Sequence, residues 1–439
     1  MSNKKVILFV FTLFLVICFS GTGLFAQEMP AYEKYQGPIK PGLVITKDNW
    51  DQYLPELKKL LPASKLIYNE FGVKEGGITI PIVEYSKKYP GVSPAWREAS
   101  FKHQGTASID PKTHELLNWQ GGNPFPHPKN CSELLWNSYT LYNRTAGGHD
   151  DHRFYATFNL FDKNKYQKRF SWVNQERRYL NRVEMPPFGN LEPYRKDGIV
   201  FKGTIMITEP QDVRGFILLR HKYWDMTKPD DVFSYIPALK RIRRLTGGDL
   251  TDPLLGSDAI PDDFQVFQQK ITPEMTWRMV AQREMFYPQF TSGWLEENPD
   301  MRPKYDMKKT GVGFPEKLEI RPAWIWEVST NNPDYVYSKR VLYTNAVPLE
   351  ETPGSFMIFW GENYDQAGRL WRSNGYLAIG VNPLGFHHLF GYLFADAQKS
   401  HYSLMDGWSS IHSKKEFSEY LPLDEGRALT IQGLLREAR

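Results

Sequence analysis

Ala323-Trp324-Ile325-Trp326-Glu327-Val328 (AWIWEV) is apolar on both sides when read as a strand. Side chains alternate along a strand, so Trp324, Trp326 and Val328 share one face while Ala323 and Ile325 share the other. Ser355–Trp360 (SFMIFW) repeats the pattern, with Phe356, Ile358 and Trp360 set against Met357 and Phe359. A sheet with one wet face would alternate apolar and polar residues. A sheet built from these strands must have both faces covered, or one face lining an apolar cavity. A curved sheet wrapped around helices meets that demand, and so does a closed barrel holding a ligand. Trp324, Trp326, Phe356, Ile358 and Trp360 are the expected cavity residues; each also fits an ordinary core.

Similar stretches, rich in β-branched and aromatic residues, recur between turn signals from about Phe154 onward. They are Ile199–Thr208, Gly215–Trp224, Asp231–Ile236, Thr276–Tyr287, Tyr335–Thr344 and Arg369–Gly380. Strand follows strand with few helices between, which predicts an antiparallel sheet and not a doubly wound one. The preceding region is different. Thr46 is placed to cap a helix from Lys47, with Trp50, Tyr53, Leu54, Leu57, Leu60 and Leu61 at helical spacing; Pro55 kinks it or starts a second helix. Gly121–Lys129 (GGNPFPHPK) is a rigid proline loop. Asn130 and Glu133 are spaced as a capping pair for a helix carrying Leu135, Trp136, Tyr139 and Tyr142. A short helix is expected within Leu421–Arg439. The fold class is thus α+β. Residues 27–439 form one domain, with a helix- and loop-rich lead-in over 27–150 and the strand-rich sheet over 151–439.

Residues 1–26 read as a secretory signal peptide. Lys4 and Lys5 precede the apolar run Val6–Phe19, and Gly21, Gly23 and Ala26 lead to a cut before Gln27. A retained N-terminal anchor is the rival reading. Ile17 before Cys18 argues against a lipidation site. The expected location is the periplasm, free or peripheral to the outer membrane. Cleavage takes the formal charge from +4 to +2 by removing two lysines. That balance gives no electrostatic case for nucleic acid as a partner. Cys131 is then the one remaining thiol and reads as buried and structural.

Chemistry-bearing clusters are few. His149-Asp150-Asp151-His152 offers two imidazoles and two carboxylates, but it follows Gly147-Gly148 and lacks the metalloprotease spacing. It reads first as a solvated loop and second as the site of a metal-dependent hydrolase. His387 and His388 are adjacent and would face opposite sides of a strand. Lys240, Arg241, Arg243 and Arg244 form a basic patch, suited to solvent, a phospholipid head group or an acidic partner. Asp258, Asp262 and Asp263 follow and could pair with it. Asn143-Arg144-Thr145 matches a glycosylation pattern. No catalytic residue, resident metal or cofactor is expected.

An ordered set of segments resembles one family of bacterial exported proteins, the domain of unknown function family 1329. The set comprises Ile45-Thr46 with Asn49, Gly122–Pro128 followed by Glu133–Asn137, and Tyr235–Arg244. It continues with Glu284-Met285 before Tyr287-Pro288, Trp324–Val328, Lys339–Val341 with Tyr343, and Tyr364-Asp365 leading into Gly368–Arg372. Members of the family are labelled outer membrane lipoprotein-sorting proteins. The resemblance implies a large curved antiparallel sheet, an unclosed barrel, with helices covering its concave side and an apolar cavity that shelters acyl chains. It implies a non-enzymatic carrier whose partner is a lipid-like molecule. An accessory subunit of an envelope transporter is the alternative.

Overall fold

The computed structural model describes residues 29–142, 150–163, 165–245, 252–292, 316–381, 387–406, 418–419 and 423–437. The signal-peptide reading, His149 and the Asn143 pattern therefore lie outside the described residues. Fourteen strands run through one sheet: β1 (Tyr32–Glu33), β2 (Asp151–Asp162), β3 (Lys165–Arg178), β4 (Ile199–Glu209), β5 (Ile217–Tyr223), β6 (Asp231–Ile236), β7 (Arg241–Leu245), β8 (Met275–Pro288), β9 (Leu318–Thr330), β10 (Lys339–Asn345), β11 (Ile358–Tyr364), β12 (Leu370–Val381), β13 (His387–Asp396) and β14 (His401–Asp406). Their spatial order is β1-β8-β9-β10-β11-β12-β13-β14-β2-β3-β4-β5-β6-β7. The path has two ends, so the sheet is open. Neighbours are antiparallel except β1 on β8 and the short Phe290–Ser292 segment on β12, both parallel. The two wings, β8–β14 and β2–β7, meet where β14 pairs with β2, His401 opposite Asp162 and Asp406 opposite Thr157.

Both faces of the β8–β14 wing are covered, as the two-sided apolar strands require. Neighbouring residues on β11 show it. Glu362 points to one face, where its carboxylate accepts a hydrogen bond of 2.7 Å from the Ser64 amide. Asn363 points to the other, where its amide oxygen accepts from Arg340 at 3.1 Å. The Ser64 side is covered by the helix α2 (Ala63–Lys74), whose Ser64 hydroxyl also accepts from the Trp360 indole at 2.9 Å. On the Arg340 side lies an irregular segment, residues 252–270, and beside it α4, the helix Cys131–Tyr142. Ser132 of that helix accepts from the Trp277 indole at 2.8 Å, and Trp277 lies opposite Val328 in register.

The lead-in helices form as their spacing predicts, with one shift. The first, α1, spans Trp50–Leu60 and buries Trp50, Leu57 and Leu60 against Phe286 and Leu318 of the sheet. Its N-cap position is held by Asn49, not Thr46: the Asn49 side chain turns back to accept from the Thr46 amide at 2.8 Å. Pro55 sits inside α1, and the second helix begins after Pro62. The capping pair of α4 is present. Asn130 accepts from the Glu133 amide at 3.0 Å, and Glu133 accepts from the Lys129 amide at 2.6 Å. Among the described residues no helix is long and apolar enough to cross a membrane.

Candidate functional site

A recess of about 310 Å³ lies between the β2–β7 wing and the irregular segment, at the small end of the range for ligand pockets, about 300–1,000 Å³. Its floor is one face of the wing, because the lining residues fall two apart along each strand: Trp172, Asn174 and Glu176 on β3; Phe201, Gly203 and Ile205 on β4; Leu218 and Arg220 on β5, with Phe216 just before it; Val232, Ser234 and Ile236 on β6; Arg243 and Leu245 on β7. Phe154 of β2 closes one end. The opposite wall is Asp252–Leu255, Pro261, Phe264, Gln265 and Gln268. Gly203 makes room for the floor: a Cβ there would sit 2.8 Å from the Phe201 ring. The Trp172 indole N–H is buried and has no hydrogen-bond partner among the described residues.

The wall is fixed by buried polar contacts. Gln265 and Val266 have φ of 53° and 74°, a strained region for any residue but glycine and most of all for a β-branched one. The surroundings hold them there. Tyr392 accepts from the Val266 amide at 2.8 Å, and Asn374 donates to the Val266 carbonyl at 3.2 Å. Asp263 takes Arg340 at 2.8 Å and the Tyr337 hydroxyl at 2.7 Å, with Asp263 and Arg340 both buried. Burial pushes the Asp263 carboxyl up despite the nearby Arg340 charge. On the recess side, Lys222 donates to the Gln268 carbonyl at 3.1 Å, and burial pushes its amine down to about 7. Arg220 is held by Asp230 at 2.7 Å and donates to Gln268 at 3.3 Å.

The five expected cavity residues lie in the other wing, outside this recess. Trp324, Trp326, Phe356, Ile358 and Trp360 are buried as core. Trp324 stacks on Phe356 at 5.7 Å, Trp326 meets Phe267 at 6.4 Å, and the Lys65 ammonium lies 4.9 Å over the Trp360 ring. The irregular segment reaches Trp326 through Phe267, and α2 reaches Trp360 through Lys65 and Ser64. Of the recess residues, Arg243 alone is among the expected site residues, as part of the basic patch; the signal for the others is the set of β2–β7 strands whose second face is also apolar, as in Ile199–Ile205.

The basic patch lies on and beside the edge strand β7. Lys240 turns the chain at φ 49°, and Arg241, Arg243 and Arg244 are exposed on β7. Edge strands bearing such charges resist pairing with another sheet. The three aspartates do not pair with this patch. Asp258 binds His401 at 2.8 Å and the Ser403 hydroxyl at 2.7 Å; Asp262 accepts from Tyr335 at 2.9 Å; Asp263 takes Arg340. Arg244 finds Asp231 instead.

Asp150, Asp151 and His152 form no solvated loop: all three are buried where β2 begins. Asp151 accepts from Arg177 and Arg182, each at 2.6 Å, and from the Leu423 amide at 3.0 Å. Burial works to raise its carboxyl, but the Arg177 hydrogen bonds and the Arg182 charge outweigh it and hold the group below the ordinary carboxylate value. Among the described residues no three His, Cys, Asp or Glu side chains are grouped to hold a metal ion. His387 and His388 start β13 opposite Val381 and Gly380; their side chains lie outside the description. Cys131 opens α4, buried, and burial pushes its thiol well up.

An uncharacterized protein of Pseudomonas aeruginosa is 24% identical over 340 residues, covering 76% of this chain and 68% of its own length. Among solved structures, a DUF1329 family protein from Desulfovibrio piger is 15% identical with a TM-score of 0.43, covering 64% of this chain and 90% of that one. A LolA superfamily protein from Nitrosomonas europaea is 13% identical with a TM-score of 0.39, covering 68% and 96%. The sequence profile of the family described as a protein of unknown function (DUF1329) matches residues 44–428, and the chain belongs to that family.

Proposed function

We propose that this protein binds and carries a lipid-like or acylated hydrophobic molecule in the periplasm after export. The recess over β2–β7 carries the reading, because aromatic and aliphatic side chains such as Trp172, Phe201, Ile205, Leu218 and Val232 predominate on its floor. Ten carbons entering at ~0.8 kcal/mol each would contribute about 8 kcal/mol, enough to offset the lower part of the association cost of about 4–15 kcal/mol. The role is binding and not catalysis: the buried carboxylate–arginine groups around Asp151 and Asp263 are spent on internal ion pairs. Delipidated protein titrated with decan-1-ol by calorimetry tests this. Saturable binding is expected, and Leu218→Trp, at a half-buried position on the floor, should weaken it at least about tenfold without unfolding the chain. No binding by the wild type, together with no lipid in mass spectra of the purified protein, would overturn the proposal.

A further inference from the structure

We infer that the ligand of the recess is an anionic amphiphile, its carboxylate or phosphate head held at the mouth by Arg243 and its tail lying inward over Val232, Phe201 and Trp172. This rests on the binding role proposed above and specifies its ligand. Arg243 and Leu245 are the β7 residues that line the recess, so this edge strand turns one arginine toward it. Ser234 lies directly opposite Arg243 in register and lines the recess beside it. Among the described residues, neither the Arg243 guanidinium nor the Ser234 hydroxyl has a hydrogen-bond or ion-pair partner. The contrast with other arginines is informative. Arg244, on the opposite face of β7, is paired with Asp231, and Arg220, deeper in the recess, is paired with Asp230. A guanidinium presents a planar fork that matches carboxylate and phosphate oxygens, and the adjacent hydroxyl supplies one more donor.

The remaining charges agree with an anion at this end. Glu176, also in the lining, is partnered within the protein. Among the described lining residues Asp252 is the exposed acidic group, against Arg243 and, two residues along the same face of β7, Arg241. Apolar side chains begin next to Arg243: Val232 and Leu245 are the adjacent cross-strand pair. A charged head and an oily tail would therefore meet their counterparts within one strand spacing.

The test compares decanoate, decyl phosphate, decan-1-ol and decyltrimethylammonium on wild type, Arg243→Gln and Arg243→Lys. Arg243 is exposed at an edge, so neither variant threatens the fold. The two anions are expected to bind about fivefold more tightly than the alcohol, the scale of one solvent-facing ion pair, with the cation weakest. Arg243→Gln should bring the anions down to the level of the alcohol, while Arg243→Lys keeps most of the preference. The anion that loses more in Arg243→Gln identifies the head group as carboxylate or phosphate. An unchanged ratio of anion to alcohol in Arg243→Gln overturns this inference while leaving the recess as a binding site. Failure of all four probes to bind overturns both.

Discussion

Arg340→Met should destabilise the protein strongly at pH 7 and much less at pH 5. In the native state the Arg340 guanidinium sits 2.8 Å from Asp263, and both groups are buried. Removing the arginine leaves a buried carboxylate with the Tyr337 hydroxyl and the more distant Arg372 charge, but without its ion-pair partner, so its charged form becomes costly. It can instead take up a proton, and that option sets a ceiling on its cost. Each pH unit above the ordinary Asp value of about 3.9 costs about 1.36 kcal/mol for the neutral form. The ceiling is then about 4 kcal/mol at pH 7 and about 1.5 kcal/mol at pH 5. The sign follows from the raised Asp263 value: a carboxyl that is harder to ionise in the native than in the unfolded chain favours folding at low pH, and that advantage fades as pH rises. Urea midpoints of wild type and variant, multiplied by the common slope, give the difference at each pH. The double variant Arg340→Met with Asp263→Asn should recover most of the loss. Because Asp263 anchors the recess wall, the single variant should also weaken decan-1-ol binding. A penalty below about 1 kcal/mol, or one that is the same at pH 5 and pH 7, would refute the reasoning.

Three further outcomes are expected. Asp151→Asn leaves Arg177 and Arg182 without their carboxylate and should cost about 3–5 kcal/mol in urea; a folded, equally stable variant would reopen the hydrolase reading. The Asp258 hydrogen bond raises the His401 imidazole above its ordinary value, so the stabilisation it gives is full below about pH 6.5 and is lost as pH climbs through the raised value. His401→Gln should accordingly lower the melting temperature at pH 5.5 and leave it little changed at pH 9; the opposite trend would contradict the pairing. Cys131, buried with its thiol pushed up, should resist an aromatic disulfide reagent in native buffer at pH 8 and react promptly in guanidinium; rapid native labelling would argue against the buried placement of α4.

The strands were legible where local pattern and tertiary need agree. Asp231–Ile236 is observed as expected, and Thr276–Tyr287 and Arg369–Gly380 differ by a residue at each end from the observed Met275–Pro288 and Leu370–Val381. β2 was harder to see. It opens with Asp151-His152-Arg153, which looks like a turn until Arg177 and Arg182 arrive from elsewhere in the chain to neutralise the buried acid. The same limit applies to the site. Two-sided apolar strands correctly signal that both faces are covered. They do not say whether the cover fits tightly, as Phe267 does on Trp326, or stands off, as Phe264 and Leu254 do from Val232 and Phe201. That difference is set by where a strained loop is pinned, through Val266, Tyr392 and Asn374, and no periodicity encodes it.

The pairing of β14 with β2 has a consequence for how the chain is made. His401 and Asp162 are neighbours in the sheet but are separated by most of the strand-rich sequence. During synthesis, β2 emerges early and has no partner on that side until the last long strand follows. Such distant closure slows folding, and the waiting edge is a template for unwanted association. A chain cut short before His401 would keep two half-sheets with raw flanks where they should join, and aggregation, not mild loss of stability, is the outcome to expect from it.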